Sequence, residues 1–181
     1  MKKIFGGLFF VAGIALFLAA CNDGIDYEKI RLEELALLQR YIDQEHSGAE
    51  PTSSGLYYFN EEGTGVVEDT INLGDRVQIF YATWVLGEDA DGVLDSLLVD
   101  QSTGYLQGQR YEPMSFTVGA GGTIAGLEEA ITYMHPGTKS HLVINSELAY
   151  GQNGTGSVGM FKTILMEVEV YKVIPLETAP E

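Results

Sequence analysis

Hydrophobic positions along the chain change rhythm twice. Ile4 to Ala20 is almost wholly apolar, with no period. From Glu28 to Gly48 (EKIRLEELALLQRYIDQEHSG) apolar residues return every three or four positions. Leu35, Leu38 and Ile42 form a stripe there, flanked by Leu32 and Tyr41. Charged residues fill the other face, and Gly48 followed by Pro51 supplies a stop, so an amphipathic helix is predicted. It packs on a following domain or spaces it from a membrane. Self-pairing is the sharper alternative, although the stripe is short for a coiled coil.

Residues 49–55, AEPTSSG, have linker composition, and beyond them the period becomes two. GLYYF reads as a short strand. Residues 75–86, DRVQIFYATWVL, set Val77, Ile79 and Tyr81 on one face and Phe80 and Trp84 on the other. Met114, Phe116 and Val118 share a side, Leu142 and Ile144 alternate in KSHLVI, and residues 163–173 alternate from Ile164 to Val170 with Glu167 and Glu169 outward. One segment breaks this rhythm. Ile124, Leu127, Ile131 and Met134 lie three to four apart, and His135-Pro136-Gly137 then stops the helix. Several antiparallel strands with one compact helix indicate an α+β domain whose helix covers a sheet face.

The N-terminus has the form of an export signal: basic Lys2 and Lys3, the apolar run, and small residues before Cys21. About 17 apolar residues is at the short limit for a membrane span. The ending LAAC resembles the bacterial lipobox, which implies cleavage before Cys21 and lipidation of its thiol. Cys21 is the sole cysteine, so an intrachain disulfide is impossible and lipidation accounts for a lone thiol in an exported chain. The expected organisation is a signal peptide over 1–20, a lipid-anchored helix and linker over 21–55, one domain over 56–174 and a tail over 175–181. The expected location is the bacterial cell envelope, at the outer membrane or periplasm, anchored through Cys21 rather than spanning. The sequence leaves the oligomeric state open.

The formal charge of −16 becomes −18 without Lys2 and Lys3, as 8 basic residues then face 26 acidic ones. Such a surface repels nucleic acid, so no nucleic-acid partner is expected. Catalytic side chains are sparse. His46, His135 and His141 have no metal-ligand spacing, and His141 reads as a structural histidine in mid-strand. No G-x-S-x-G elbow surrounds Ser146. The glycine-rich GQNGTG (151–156) lacks dinucleotide spacing, ends in no G-K-[ST], and is followed by a strand rather than a helix. Neither metal nor cofactor is expected.

The order of motifs from Leu73 to Val173 carries the functional expectation. GDRVQIFYATWVL, TIAGLEEAITYMHPGTKSHLVINSELAYG and TILMEVEVYKV, in that order, resemble the FKBP-type peptidyl-prolyl cis-trans isomerases. The resemblance implies a curved antiparallel sheet wrapped around the short helix, with a shallow apolar pocket between them for a substrate proline. By the same resemblance Tyr81 lines that pocket, the Ile124 N–H donates to a substrate carbonyl, and the Tyr150 hydroxyl meets the ligand backbone. For the pocket carboxylate Val99-Asp100 (VDQSTG) is the preferred match and Leu94-Asp95 (LDS) the competing one, because residues 87–112 exceed the usual family length. Tyr81, Asp100, Ile124 and Tyr150 are thus the implied catalytic group. Val99, Met114, Leu127, Val158 and Met166 are the implied substrate-binding group.

Val99, Leu127 and Met166 stand where larger aromatics are usual, and SVGM (157–160) replaces an Ile-Pro-Pro stretch. These departures imply an altered ligand preference or a weaker isomerase. The expected function is isomerisation of X-Pro bonds in proline-containing polypeptides, assisting exported proteins to fold. The alternative is a catalytically weak binding or chaperone module within an envelope assembly such as a motility or secretion machine.

Overall fold

The computed structural model describes residues 24–61, 70–102 and 112–176. The apolar run 4–20, Cys21 and part of the 87–112 stretch fall outside them. Among the described residues are α1 (Tyr27–Glu45), β1 (Tyr57–Glu61), β2 (Arg76–Glu88), β3 (Leu94–Gln101), β4 (Met114–Thr117), α2 (Ala125–Ile131), β5 (Lys139–Ile144), a 3-10 turn (Ser146–Leu148) and β6 (Ile164–Ile174).

The strands form one open antiparallel sheet in the order β1-β5-β6-β2-β3, with β4 also on β2. The long strand β2 organises it. One edge of β2 pairs with β6 from Arg76 to Val85, while the other is shared, β4 taking Arg76–Ile79 and β3 taking Ala82–Glu88. At the handover the Tyr81 N–H donates to Ser102 Oγ at 2.9 Å, and the Tyr81 carbonyl accepts the Ser102 N–H at 2.9 Å. The sheet edge therefore parts beside Tyr81, whose own N–H and carbonyl both remain bonded.

Alternation along β2 divides the interior into two cores. Val77 and Ile79 join Leu127, Ala130 and Ile131 of α2, with Leu142, Ile144, Ile164, Met166 and Val168 of β5 and β6, in the larger one. On the opposite face Leu86 joins Val143, Leu165, and Leu38 and Ile42 of α1. The α+β architecture read from the sequence is present, with α2 covering one sheet face and α1 the other. The approach of α2 to β5 requires glycine, because a Cβ on Gly126 would stand 2.5 Å from Ile144 Cγ2.

Three elements differ from expectation. Helical spacing on α1 predicts a stripe of Leu35, Leu38 and Ile42 with Leu32 and Tyr41, but the buried line is Glu34, Leu38 and Ile42. Leu32 and Leu35 are 59% and 37% exposed. A carboxylate occupies the stripe because four donors meet it there: the Ser146 N–H and Oγ, Thr163 Oγ1 and the Arg31 guanidinium. The helix expected over 124–134 is regular only to Ile131. Thr132, Tyr133 and Met134 continue through N–H bonds three residues back, and Thr132 Oγ1 bonds the Glu129 carbonyl at 2.7 Å. Strand β3 was not anticipated. It pairs with β2 alone, and Asp95, Ser96 and Leu97 are exposed, so no buried face imposes alternation on it.

Candidate active site

Between α2, the parted sheet edge and the loop after the 3-10 turn lies a cavity of about 340 Å³, within the size range of small-molecule sites. Tyr81 and Thr83 reach it from β2, Val99 and Asp100 from β3, and Met114 from β4. Thr123, Ile124 and Leu127 come from the start of α2, Met166 from β6, and Tyr150, Thr155, Ser157 and Val158 from the loop. Leu127 and Met166, 1% and 4% exposed, give it an apolar floor. All nine residues singled out for the site from the sequence are thus brought together. Thr83, Thr123, Thr155 and Ser157 line it too and were missed. Thr83 was legible as the same-face neighbour of Tyr81 two positions on, whereas the others lie on irregular backbone where periodicity says nothing.

Two consecutive residues of β3 line the cavity because of a bulge. The register runs from Thr83 opposite Asp100 to Trp84 opposite Leu98, so Val99 is an extra residue without a partner on β2. A bulge re-aims the side chains beside it. Both oxygens of Asp100 are engaged: Oδ2 accepts the Tyr81 hydroxyl and Oδ1 the Gln101 N–H, each at 2.8 Å. Asp95, the competing position, pairs with Gly87, accepts the Ser96 N–H at 2.7 Å, and does not line the cavity.

Burial first, and then the bond to Asp100, push the Tyr81 phenol well above the usual tyrosine range. Burial and the charge of Asp100 also raise Tyr150. Both phenols therefore keep their protons, and remain donors, at neutral pH. Ile124 caps α2 in an extended conformation, and its carbonyl accepts the N–H groups of Leu127 and Glu128 at 3.1 Å. Its own N–H, like the first donors of any helix, needs a partner from outside. Among the described residues none accepts it.

The glycine-rich loop bonds to itself. Thr155 and Val158 exchange N–H···O bonds of 2.7 and 3.1 Å, the Gly154 N–H donates to Tyr150, and the Phe161 N–H to Gly151. Gly154 has φ +62°, and a Cβ there would meet the Val158 carbonyl oxygen at 2.5 Å. These four amides are thus engaged within the loop, which presents Val158, 3% exposed, to the cavity. No group of three or more His, Cys, Asp or Glu among the described residues could hold a metal ion.

The model of the FKBP-type peptidyl-prolyl cis-trans isomerase family matches residues 68–171. The FKBP-type 22 kDa peptidyl-prolyl cis-trans isomerase of Escherichia coli K12 is 32% identical over 160 residues, which cover 87% of this chain and 63% of that protein. FkpA from Escherichia coli superposes with a TM-score of 0.60 at 28% identity, covering 82% of this chain and 63% of that one. A peptidyl-prolyl isomerase from Pseudomonas syringae pv. tomato has a likeness of fold, with a TM-score of 0.61 at 23% identity over 83% of this chain and 97% of that one. The chain thus spans less than two thirds of both Escherichia coli relatives. It belongs to the FKBP-type peptidyl-prolyl cis-trans isomerase family.

Proposed function

We propose that this protein isomerises X-Pro bonds in exported polypeptides at the bacterial cell envelope, tethered by a lipid on Cys21. The observation that carries the activity is the Tyr81–Asp100 pair, bonded at 2.8 Å beside a floor of Leu127 and Met166. Rotation about X-Pro is slow because amide resonance must be lost, at about 18–20 kcal/mol. Seating the bond against apolar side chains disfavours its charge-separated planar form. The Ile124 N–H and the Tyr150 hydroxyl hold peptide carbonyls while the bond twists between them. Interactions that are stronger in the twisted state than in the planar one lower the barrier, without nucleophile, metal or covalent intermediate.

A protease-coupled assay at low temperature on several X-Pro peptides tests this with the purified full-length chain in detergent. Catalysis above background is expected; a background rate on every peptide would sink the enzymatic claim. The tether is supported by the signal-like residues 1–20 and the LAAC sequence. Cys21→Ala is expected to abolish incorporation of a labelled fatty acid, and unchanged labelling refutes the tether.

A second reading, a binding or chaperone module with little catalysis, is favoured by Leu127. It floors the cavity where the family resemblance implies a tryptophan, leaving a less rigid surface under the proline ring. If Leu127→Trp gains activity that the parent lacks, binding is the native role.

A further inference from the structure

Glu34 lies on α1, which contributes no lining residue to the cavity. Its carboxylate is nevertheless buried, 5% exposed, and apart from Arg31 on its own helix it bonds only to groups at the margins of the site. Oε1 accepts the Ser146 N–H at 2.6 Å and Thr163 Oγ1 at 3.1 Å; Oε2 accepts Ser146 Oγ at 2.6 Å and pairs with Arg31 Nη1 at 2.9 Å. Arg31 also pairs with Glu147 at 3.0 Å, so both α1 charges, Glu34 and Arg31, reach the 3-10 turn before Tyr150. Ser146 and Thr163 are the two ends of the segment that crosses the cavity, and Tyr150, Thr155, Ser157 and Val158 all lie between them.

We propose that Glu34 is a positioning residue for the site: it ties the two ends of residues 147–162 together and so fixes Tyr150 and the loop over the cavity. The segment contains four glycines, and such backbone has much conformational freedom to lose. Its own bond across the neck is Phe161 N–H to Gly151, at 2.9 Å, above the point where the β5–β6 ladder ends with Ile144 opposite Ile164. Beyond the neck, both Ser146 and Thr163 are 1% exposed, so their donors have no water to fall back on. Two carboxylate oxygens can serve three neutral donors and a guanidinium together, which a neutral side chain of the same size cannot. The charge on α1 is thereby spent on the geometry of a cavity that α1 does not touch.

The inference rests on the isomerase reading only where activity is the readout. Native-state hydrogen exchange and kcat/KM on an X-Pro peptide are measured on the full chain for the parent, Glu34→Ala, Glu34→Gln and Glu33→Ala. In Glu34→Ala, amides of residues 147–162 are expected to exchange about tenfold faster while those of β2 and β6 stay within about twofold. Its kcat/KM is expected to fall about tenfold, with KM rising more than kcat drops. Glu34→Gln keeps the shape but only one acceptor oxygen and sets an NH2 against the remaining donors, so it falls between the parent and Glu34→Ala in both effects; the exposed neighbour Glu33→Ala changes neither. The proposal is overturned if Glu34→Ala leaves exchange in 147–162 within about twofold, or quickens the sheet equally. It is overturned too if the loop loosens while kcat/KM holds. A parent inactive on every peptide removes the isomerase reading, and the exchange measurement alone then decides the role of Glu34.

Discussion

Val99 and Asp100 both reach the cavity because β3 carries one residue more than β2 at that point. Without that bulge, strict alternation would send one of them to the other face. The carboxylate is held by Tyr81 and Gln101, so its removal takes away a fixed charge without opening the core. Asp100→Ala is expected to lower kcat/KM about tenfold at unchanged Tm, as the loss of one preorganised polar group does, whereas Asp95→Ala stays near the parent. The reverse pattern in the same kinetic assay would show that the wrong carboxylate has been assigned. Asp100 could be preferred from the sequence because VDQS resembles the family motif more closely than LDS. The bulge that aims it could not be read, since an extra residue leaves no mark in an irregular pattern. Glu34 was illegible for a different reason. A buried charge looks like a surface charge until its partners are seen, and here two of the three, Ser146 and Thr163, are more than a hundred residues away.

At the level of elements, Gly126 and Gly154 each mark a place where backbone approaches something rigid. Alanine at Gly126 improves helix propensity by about 1 kcal/mol, yet its Cβ would meet Ile144, which is fully buried and cannot retreat. Overpacking outweighs propensity, and Gly126→Ala is expected to lose about 1–3 kcal/mol, read as a lower Tm; an unchanged Tm would contradict this packing. At Gly154 the obstacle is the Val158 carbonyl, with a positive φ besides. Gly154→Ala should therefore disturb the Thr155–Val158 turn and weaken peptide binding with little change in Tm; equal binding would argue that the loop does not contribute. Strands β5 and β6 were legible from period two because one face of each is buried, although Val143 and Leu165 bury the other face as well. The edge strand β3 was not, because three of its consecutive residues face water.

The sheet joins α1 and α2 among the described residues, and the response to acid follows from the α1 side. His46, the residue that ends α1, stacks on Phe59 with centroids 3.9 Å apart and lies 5.4 Å from the His141 ring. Burial, followed by the neighbouring His46, lowers the His141 pKa; Glu167 and Glu61 act against this, and Lys139 with it. A histidine whose folded value lies below its unfolded one binds fewer protons when folded. Its contribution is present above about pH 6.5 and is lost as pH falls from there through the folded value. The urea midpoint should therefore drop between pH 7.5 and 5.5, and less so in His141→Gln; a flat or rising midpoint in the parent would contradict this.

The central claim is that this cavity rotates X-Pro bonds, and exchange NMR on a proline peptide observes that rotation without a coupled protease. Uncatalysed interconversion takes roughly 10–100 s at 25 °C, so cross-peaks between cis and trans resonances at sub-second mixing times require a catalyst. Such cross-peaks are expected with the parent chain and should weaken strongly with Asp100→Ala. Their absence with the folded parent, at concentrations where the peptide binds, would contradict the account.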